Sequence, residues 1–428
     1  MKFCVCAVGV DAAHPTPLTA RREFWLLLTL AGIQFTHILD FMIMMPLGPQ
    51  LRQVFGISDA KFGLLVSAYT FSAGASGLLA AFYVDRFGRK KLLLVLYSLF
   101  AVATLACGLA PTYESLMSAR VAAGVFGGVL SALSQTIVGD VIPSERRGRA
   151  MGLVMSSFSI STVAGVPMGL FLAAHFNWHV PFLAIAAFSG LLVLLAWQTL
   201  PLMRGHLKAA RQISPLANLI DTVKNRDHQT ALLFTFLMMF VGFVVIPYIT
   251  LYTTSNGRLT VQQIPSIYLV GDIVTLISAR WIGKATDLHG KVPVFRLLAL
   301  LTVIPVLGMT VSAPLGFYGI LIITTLFFVL MSGRMIPGMA IVTSACNPTQ
   351  RGTFMALNSA MQSLGMSAAA FLGGLLISRD PQGLVLHYWA NGLVGVAATL
   401  ASVWLVTRLR LDWSTPTASI LPAAKNIP

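Results

Sequence analysis

Three stretches of this chain, Leu92 to Ala110, Phe182 to Leu200 and Leu384 to Val406, run for about 20 residues without a charged side chain, enough to cross ~30 Å of hydrocarbon as helix. Such segments recur along the whole sequence. Apolar spans fall at about 24–48, 60–83, 91–110, 114–139, 147–175, 178–200, 229–254, 262–284, 293–311, 315–343, 351–377 and 383–409. With 56% apolar and only 10% charged residues, the sequence excludes a soluble domain, where about a quarter of residues carry charge. The expected fold is all-α and integral to the membrane, with twelve transmembrane helices.

An even number of crossings puts both termini on one side. The 29 basic residues outnumber 14 acidic ones, for a net charge of +15, and their placement explains the excess. Sorted by topology, 23 fall on the terminal side, four (Arg52, Lys61, Arg258 and Arg379) fall in the opposite loops, and Arg120 and Arg334 lie inside spans. The positive-inside rule then predicts cytoplasmic termini in a bacterial-type inner membrane, with the lipid bilayer rather than nucleic acid as the surrounding partner. Phe3 to Val10 reads as part of a short cytoplasmic tail, because Asp11 and His14 follow it without a cleavage site. Cys4 and Cys6 lie in that tail, and Cys107 and Cys346 near opposite faces, so neither a disulfide framework nor a metal site is expected.

These segments predict a cytoplasmic N-tail (1–23), a six-helix bundle (24–200), a cytoplasmic linker (201–228), a second six-helix bundle (229–409) and a C-tail (410–428). In the linker, Leu216, Leu219, Ile220 and Val223 recur at helical spacing after Pro215, which predicts an amphipathic helix on the membrane surface. The two bundles repeat. Asp85-Arg86-Phe-Gly88-Arg89-Lys90 after span 2 matches Gly283-x-x-x-Asp287-x-x-Gly290-Lys291 after span 8, at an offset of 202. Pro143-x-x-x-Arg147-Gly148 after span 4 matches Pro348-x-x-Arg351-Gly352 after span 10, at about 204. Arg120 and Arg334 form a third pair, each followed four residues later by glycine (Gly124, Gly338). Repeated bundles of this kind belong to carriers that rock one half against the other around a central site.

The loop after span 2 is similar to the Gly-x-x-x-Asp-Arg-x-Gly-Arg-Lys motif of the major facilitator superfamily, with Ala81 replacing the usual first glycine. Arg120-x-x-x-Gly124-x-x-Gly127-Gly128 resembles the buried-arginine motif of helix 4 in that family, followed by Asp140 and Arg147. Gly165-Val166-Pro167-Met168-Gly169 in span 5 resembles its antiporter signature, departing from the adjacent Gly-Pro and the terminal Gly-Gly. The resemblance covers about Trp25 to Leu409 and leans toward bacterial twelve-helix drug:proton antiporters and arabinose-type efflux permeases. It implies two pseudo-symmetric bundles, a cavity lined by helices 1, 4, 7 and 10, and a working monomer. It also implies a cytoplasmic gate in which Asp85 faces the start of helix 11 near Arg351, and Arg89 pairs with Asp140.

Charges inside spans are few: Asp40, Arg120, Asp272 and Arg334, with His37 as a titratable neighbour. An ionised group near the bilayer centre costs roughly 2.5–3.5 kcal/mol on insertion scales, so each calls for a function. Gln34, His37 and Asp40 recur every third residue and share one helical face, expected to point into the cavity. A carboxylate drawn from water favours its neutral form and a neighbouring arginine favours the ionised one, so Asp40 is the proton-site candidate, or else a static partner of Arg120. Arg120 either couples to Asp40, binds an anionic substrate or anchors helices; Arg334 joins it in the proton and substrate pathway, where the two arginines could hold an anionic substrate between them.

The expected function is secondary active export of a small amphiphilic compound, driven by protons; uptake by proton symport is the alternative. A membrane enzyme would require a nucleophile, acid/base or metal constellation at one interface, and none is visible. No phosphate-cradling Gly-Lys-Ser/Thr loop is present and no cofactor is implied.

Overall fold

The computed structural model describes residues 19–84, 87–201, 215–260, 262–345 and 351–409. Among them are twelve helices long and apolar enough to cross a membrane: spans 1 to 12 are Arg21–Ile43, Asp59–Ala80, Arg89–Gly108, Tyr113–Val141, Arg149–His175, His179–Thr199, Arg226–Ser255, Ile264–His289, Lys291–Thr310, Ala313–Ser344, Thr353–Leu376 and Tyr388–Val406. Helix is the form a single segment must take in hydrocarbon, because only there does each backbone N–H find its carbonyl within the segment. Ends are fixed locally. Ser58 accepts from the Lys61 amide, Thr112 and Ser115 cap each other reciprocally, and Asn225 accepts from the Asp227 and His228 amides.

Two spans are shorter at one end than hydropathy alone implies. Span 1 stops at Ile43 because Pro46 cannot continue the ladder; the chain turns through Met44–Leu47 and starts a short helix, Gly48–Phe55. Before span 12, residues Val385–Leu386 pair antiparallel with Ser378–Arg379 in a two-stranded ribbon. Three spans are interrupted midway. Span 5 widens into a π-turn at Ser161–Gly165 just before Pro167, span 7 tightens at Ile246–Tyr248 around Pro247, and span 10 breaks at Arg334, three residues before Pro337.

The packing repeats across the halves. Spans 1·5, 1·6, 2·4, 3·4 and 3·6 pack in the first bundle, and adding six to each number gives 7·11, 7·12, 8·10, 9·10 and 9·12 in the second. Between bundles, span 2 lies along span 11, and span 5 meets span 8 through Ser161–His175. In the linker, helix Pro215–Lys224 packs on spans 2, 7 and 11 rather than resting on the membrane alone. Thr222 is buried there, its carbonyl meeting Nδ1 of His228, while Ile220 and Val223 face outward.

Close helix approach depends on glycine where backbones touch. A Cβ on Gly128 would lie 2.3 Å from the Ala73 carbonyl of span 2, and one on Gly124 would lie 2.4 Å from that of Tyr69. Neither contact is a flexible side chain that can swing away. Gly128→Val is therefore expected to lower the thermal midpoint of the detergent-purified protein by several degrees. Gly190→Ala, where no atom lies within 4 Å, should leave it unchanged; equal midpoints for both variants would refute the packing account.

Candidate functional site

Span 4 carries Arg120 seven residues from its start, and span 1 carries Asp40 three residues before its end. Both side chains are fully buried. Arg120 Nη1 donates to Asp40 Oδ2 at 2.9 Å and to the Asp40 carbonyl at 3.1 Å. The guanidinium lies over the Tyr69 ring at 4.3 Å, and Thr104 and Cys107 of span 3 close the other side. Tyr69 stacks on Phe41 at 5.4 Å, and Phe41 on Phe243 of span 7 at 5.7 Å. The pair thus sits inside the first bundle, with the aromatic stack running from it to the second.

Its depth differs from the central position expected. Because span 1 ends early, Asp40 and Arg120 lie in the half of the membrane distal to the linker, Arg120 about 10 Å in from the end of its helix. His37 and Gln34 do share Asp40's helix, but they meet different neighbours. His37 lies 6.3 Å from the Phe100 ring of span 3, and Gln34 Nε2 donates to Ser131 Oγ of span 4 at 3.0 Å. Asp272, on span 8, is half-buried one helical turn from Tyr268.

Arg334 is also fully buried but has no carboxylate within ion-pair distance among the described residues. Its Nη2 donates to the Met238 carbonyl of span 7 at 2.8 Å. The Arg120/Arg334 match is not at the repeat offset: Arg120 precedes Arg147 by 27 residues, whereas Arg334 precedes Arg351 by 17. Arg334 therefore lies roughly 15 Å nearer the linker face than strict repetition would place it.

At the linker face, Arg89 Nε meets Asp140 Oδ2 at 3.3 Å, with Gly88 capping span 3. The second half repeats the contact with different chemistry, Lys291 Nζ donating to Ser344 Oγ. Asp287 is exposed. Asp85 and Arg86 lie outside the described residues, as do Cys4, Cys6 and Cys346, and the side chains of Arg147 and Arg351 are likewise not described. In span 5, Gly165 and Gly169 pack against Leu39 and Ile43 of span 1, with Pro167 between them at the start of the helical segment that meets span 8.

The far face holds a constellation that motif reading missed. Asp59, at the start of span 2, accepts from Arg379 Nε at 2.8 Å and Nη2 at 3.2 Å, and its Oδ1 lies 3.0 Å from Arg52 Nε. Arg379 also donates to Ser255 Oγ at 2.9 Å. This triad ties the first bundle to the ribbon and span 7 of the second. A signal existed: Arg52 and Arg379 are two of only four basic residues in the far loops, and Asp59 is the acid between them.

Two repeated six-helix bundles, joined across a salt-bridged seam and enclosing a buried ion pair, are the build of a membrane transporter. The Major Facilitator Superfamily model matches residues 30–333 and again 231–422. Multidrug resistance protein 2 of Bacillus subtilis (strain 168) is 25% identical over 381 residues, covering 86% of this chain and 92% of that protein. A probable sugar efflux transporter of Mannheimia succiniciproducens is 19% identical over 394 residues, covering 91% and 95%. The crystal structure of a D-xylose-proton symporter superposes with a TM-score of 0.72 at 17% identity, covering 90% of this chain and 97% of that one. The chain belongs to the Major Facilitator Superfamily, and it is a transporter rather than an enzyme.

The triad is testable without a cargo. Ala60 adjoins Asp59 and faces Gly374 across the seam. In a protein whose only reactive cysteine is Ala60→Cys, Asp59→Asn should raise the rate of maleimide labelling by up to about fivefold, the range of a partly hydrated ion pair. Removing the partner across the seam, Arg379→Gln, should raise the rate to a similar extent. Labelling indifferent to both changes would show that the triad does not hold the seam.

Proposed function

We propose that the protein is a proton-coupled secondary transporter that exports a small amphiphilic compound by alternating access. The observation that carries this reading is the Asp40–Arg120 pair, fully buried in a membrane span. With Asp40 ionised, the pair is neutral overall and holds spans 1 and 4 together. A proton on Asp40 cancels that attraction and leaves Arg120 without its counter-charge, so protonation and helix position are linked. The Tyr69–Phe41–Phe243 stack offers the route by which that change reaches the opposite bundle.

Asp59 and Arg379 act as the gate of the far face, closed in this state. Arg89–Asp140 and Lys291–Ser344 mark the linker-face gate, to which Asp85, Arg86, Asp287, Arg147 and Arg351 contribute by their motif positions. The span 5 glycines and Pro167 serve as the hinge-side packing against spans 1 and 8. Twenty-three basic residues on the linker side against four opposite assign the linker face to the cytoplasm of a bacterial inner membrane. Export agrees with the name of the probable sugar efflux transporter, and a drug-like cargo with that of Multidrug resistance protein 2. One proton entering across ~150 mV releases about 3.5 kcal/mol, enough for a gradient of several hundredfold.

Asp40→Asn mimics the protonated state and is expected to abolish proton-driven transport in reconstituted vesicles while keeping substrate-for-substrate exchange, which needs no protonation cycle. Concentrative, proton-dependent transport by Asp40→Asn would disprove the assignment; loss of binding and exchange together would make Asp40 a cargo ligand or an anchor. Orientation has its own check. Single cysteines between Arg204 and Arg226 should resist an impermeant thiol reagent in intact cells, and rapid labelling there would reverse the topology.

A further inference from the structure

The two buried arginines are not equivalent. Arg120 has a carboxylate, an aromatic face and a carbonyl around its guanidinium. Each leaves two guanidinium nitrogens without a hydrogen-bond partner, Nε and Nη2 on Arg120 and Nε and Nη1 on Arg334, but Arg334, equally buried, meets the Met238 carbonyl and has no carboxylate among the described residues to balance its charge. Arginine keeps its charge at neutral pH, so the group cannot relieve its burial by losing a proton. Native proteins rarely leave buried donors unmet without a water, an ion or a functional reason, and where the group is also an unbalanced charge an anion answers both needs.

The surroundings say what kind of acceptor fits. Span 10 is broken at this point: Pro337 has no N–H, so the Gly333 carbonyl lacks its usual helical donor and the two halves of the span meet at Arg334. The walls beside it are soft and apolar, with Met238 packed against Gly338 and with Met335 and Met339 half-buried along the same helix. The Gln362 amide of span 11 approaches Met339 Sδ at 3.8 Å. One uncompensated positive charge among methionines matches one negative charge on an apolar body. Its depth matches as well, since Arg334 lies on the linker side of the bundle core, the side from which an exported compound enters while the far gate is closed.

We infer that Arg334 is the anchor for the carboxylate of the cargo, and that the transported compound is an organic monoanion with an apolar body. The inference deepens the export reading and rests on it. The guanidinium donates Nε–H and Nη1–H to the carboxylate oxygens while Nη2 stays on Met238, so the arriving ligand completes a hydrogen-bond set already half built. Neutral esters of the same body cannot complete it, and dianions bring a charge the site does not neutralise.

The test uses the full-length protein in detergent at about pH 8.5, with 4-phenylbutyrate and methyl 4-phenylbutyrate as the matched pair and inorganic phosphate, mostly doubly charged at that pH, as the dianion control. The acid should raise the thermal midpoint of the wild type, and the ester and phosphate should do so much less. R334Q should weaken the apparent affinity for the acid by roughly tenfold or more, with R334K intermediate. Without ligand, R334Q should melt at or above the wild-type temperature, because it removes a charge that nothing in the protein neutralises. If R334Q instead melts lower and responds to the acid as the wild type does, Arg334 is a helix anchor and the inference is overturned. It is also overturned if acid and ester, or acid and phosphate, stabilise the wild type equally, or if none of the three does. D40N separates the two readings. An acid response retained in the wild type and D40N, with no proton movement during transport, defeats proton coupling alone. Proton-driven transport of neutral compounds with no acid response defeats the anchor alone.

Discussion

A charge inside hydrocarbon must be answered by an opposite charge or by the molecule's function, and the placement of spans 1 and 4 depends on that rule. Breaking a buried pair by removing one partner costs about 3–5 kcal/mol, because the survivor is left uncompensated. Asp40 and Arg120 are that pair here, and the helices around them are shaped to it. Gly124 and Gly128 let span 2 come close enough to set the Tyr69 ring against the guanidinium. The ring's far face then meets Phe41, which meets Phe243. The same electrostatic necessity that fixes one carboxylate therefore sets a contact with the other half of the molecule.

Much of this was legible in the sequence, and the reasons for success and failure are physical. Hydropathy finds spans well because the bilayer demands about twenty apolar residues from each segment independently of its neighbours. It fails at the end of span 1, where Pro46 stops the helix, and at the start of span 12, which the 378–386 ribbon delays, while the sequence stays apolar. The repeat was visible in the offsets of 202 and 204, and the +6 rule of helix packing is its three-dimensional form. Arg334 obeyed the motif and not the spacing. Its glycine four residues on made it look like a twin of Arg120, and only counting to Arg351 reveals that it lies at another depth.

The far-face triad escaped motif reading for a different reason. Asp59 and Arg379 are 320 residues apart, and nothing local in either segment requires the other. Charge counting had marked Arg52 and Arg379 as exceptions to the positive-inside bias, but it treated them as residue noise rather than as a cluster. Exceptions to a topological rule are informative when they gather at one face. Similarly, the linker helix is amphipathic in sequence, with Ile220 and Val223 among its apolar residues, yet among its described side chains the buried one is the polar Thr222, whose carbonyl meets Nδ1 of His228.

The distribution of interaction strengths separates what stays rigid from what can come apart. Within the first bundle the ion pair is wholly excluded from water, and the helix contacts are backbone against backbone at Gly124 and Gly128. Across the seam, the Arg379 side chain remains 17% exposed, and the other links include the Ser367 hydroxyl donating to the Ser67 carbonyl and ring stacking at Phe41 and Phe243. Water reaches the edge of the Arg379–Asp59 pair, where Asp59 is 5% exposed, and does not reach Asp40–Arg120 at all, so a common load falls first on the seam. Each bundle then moves as one body while the contacts between them exchange. A transporter of two repeated halves requires that ordering, since a seam as strong as the bundles would hold the protein in one state, and bundles as weak as the seam would not move as units.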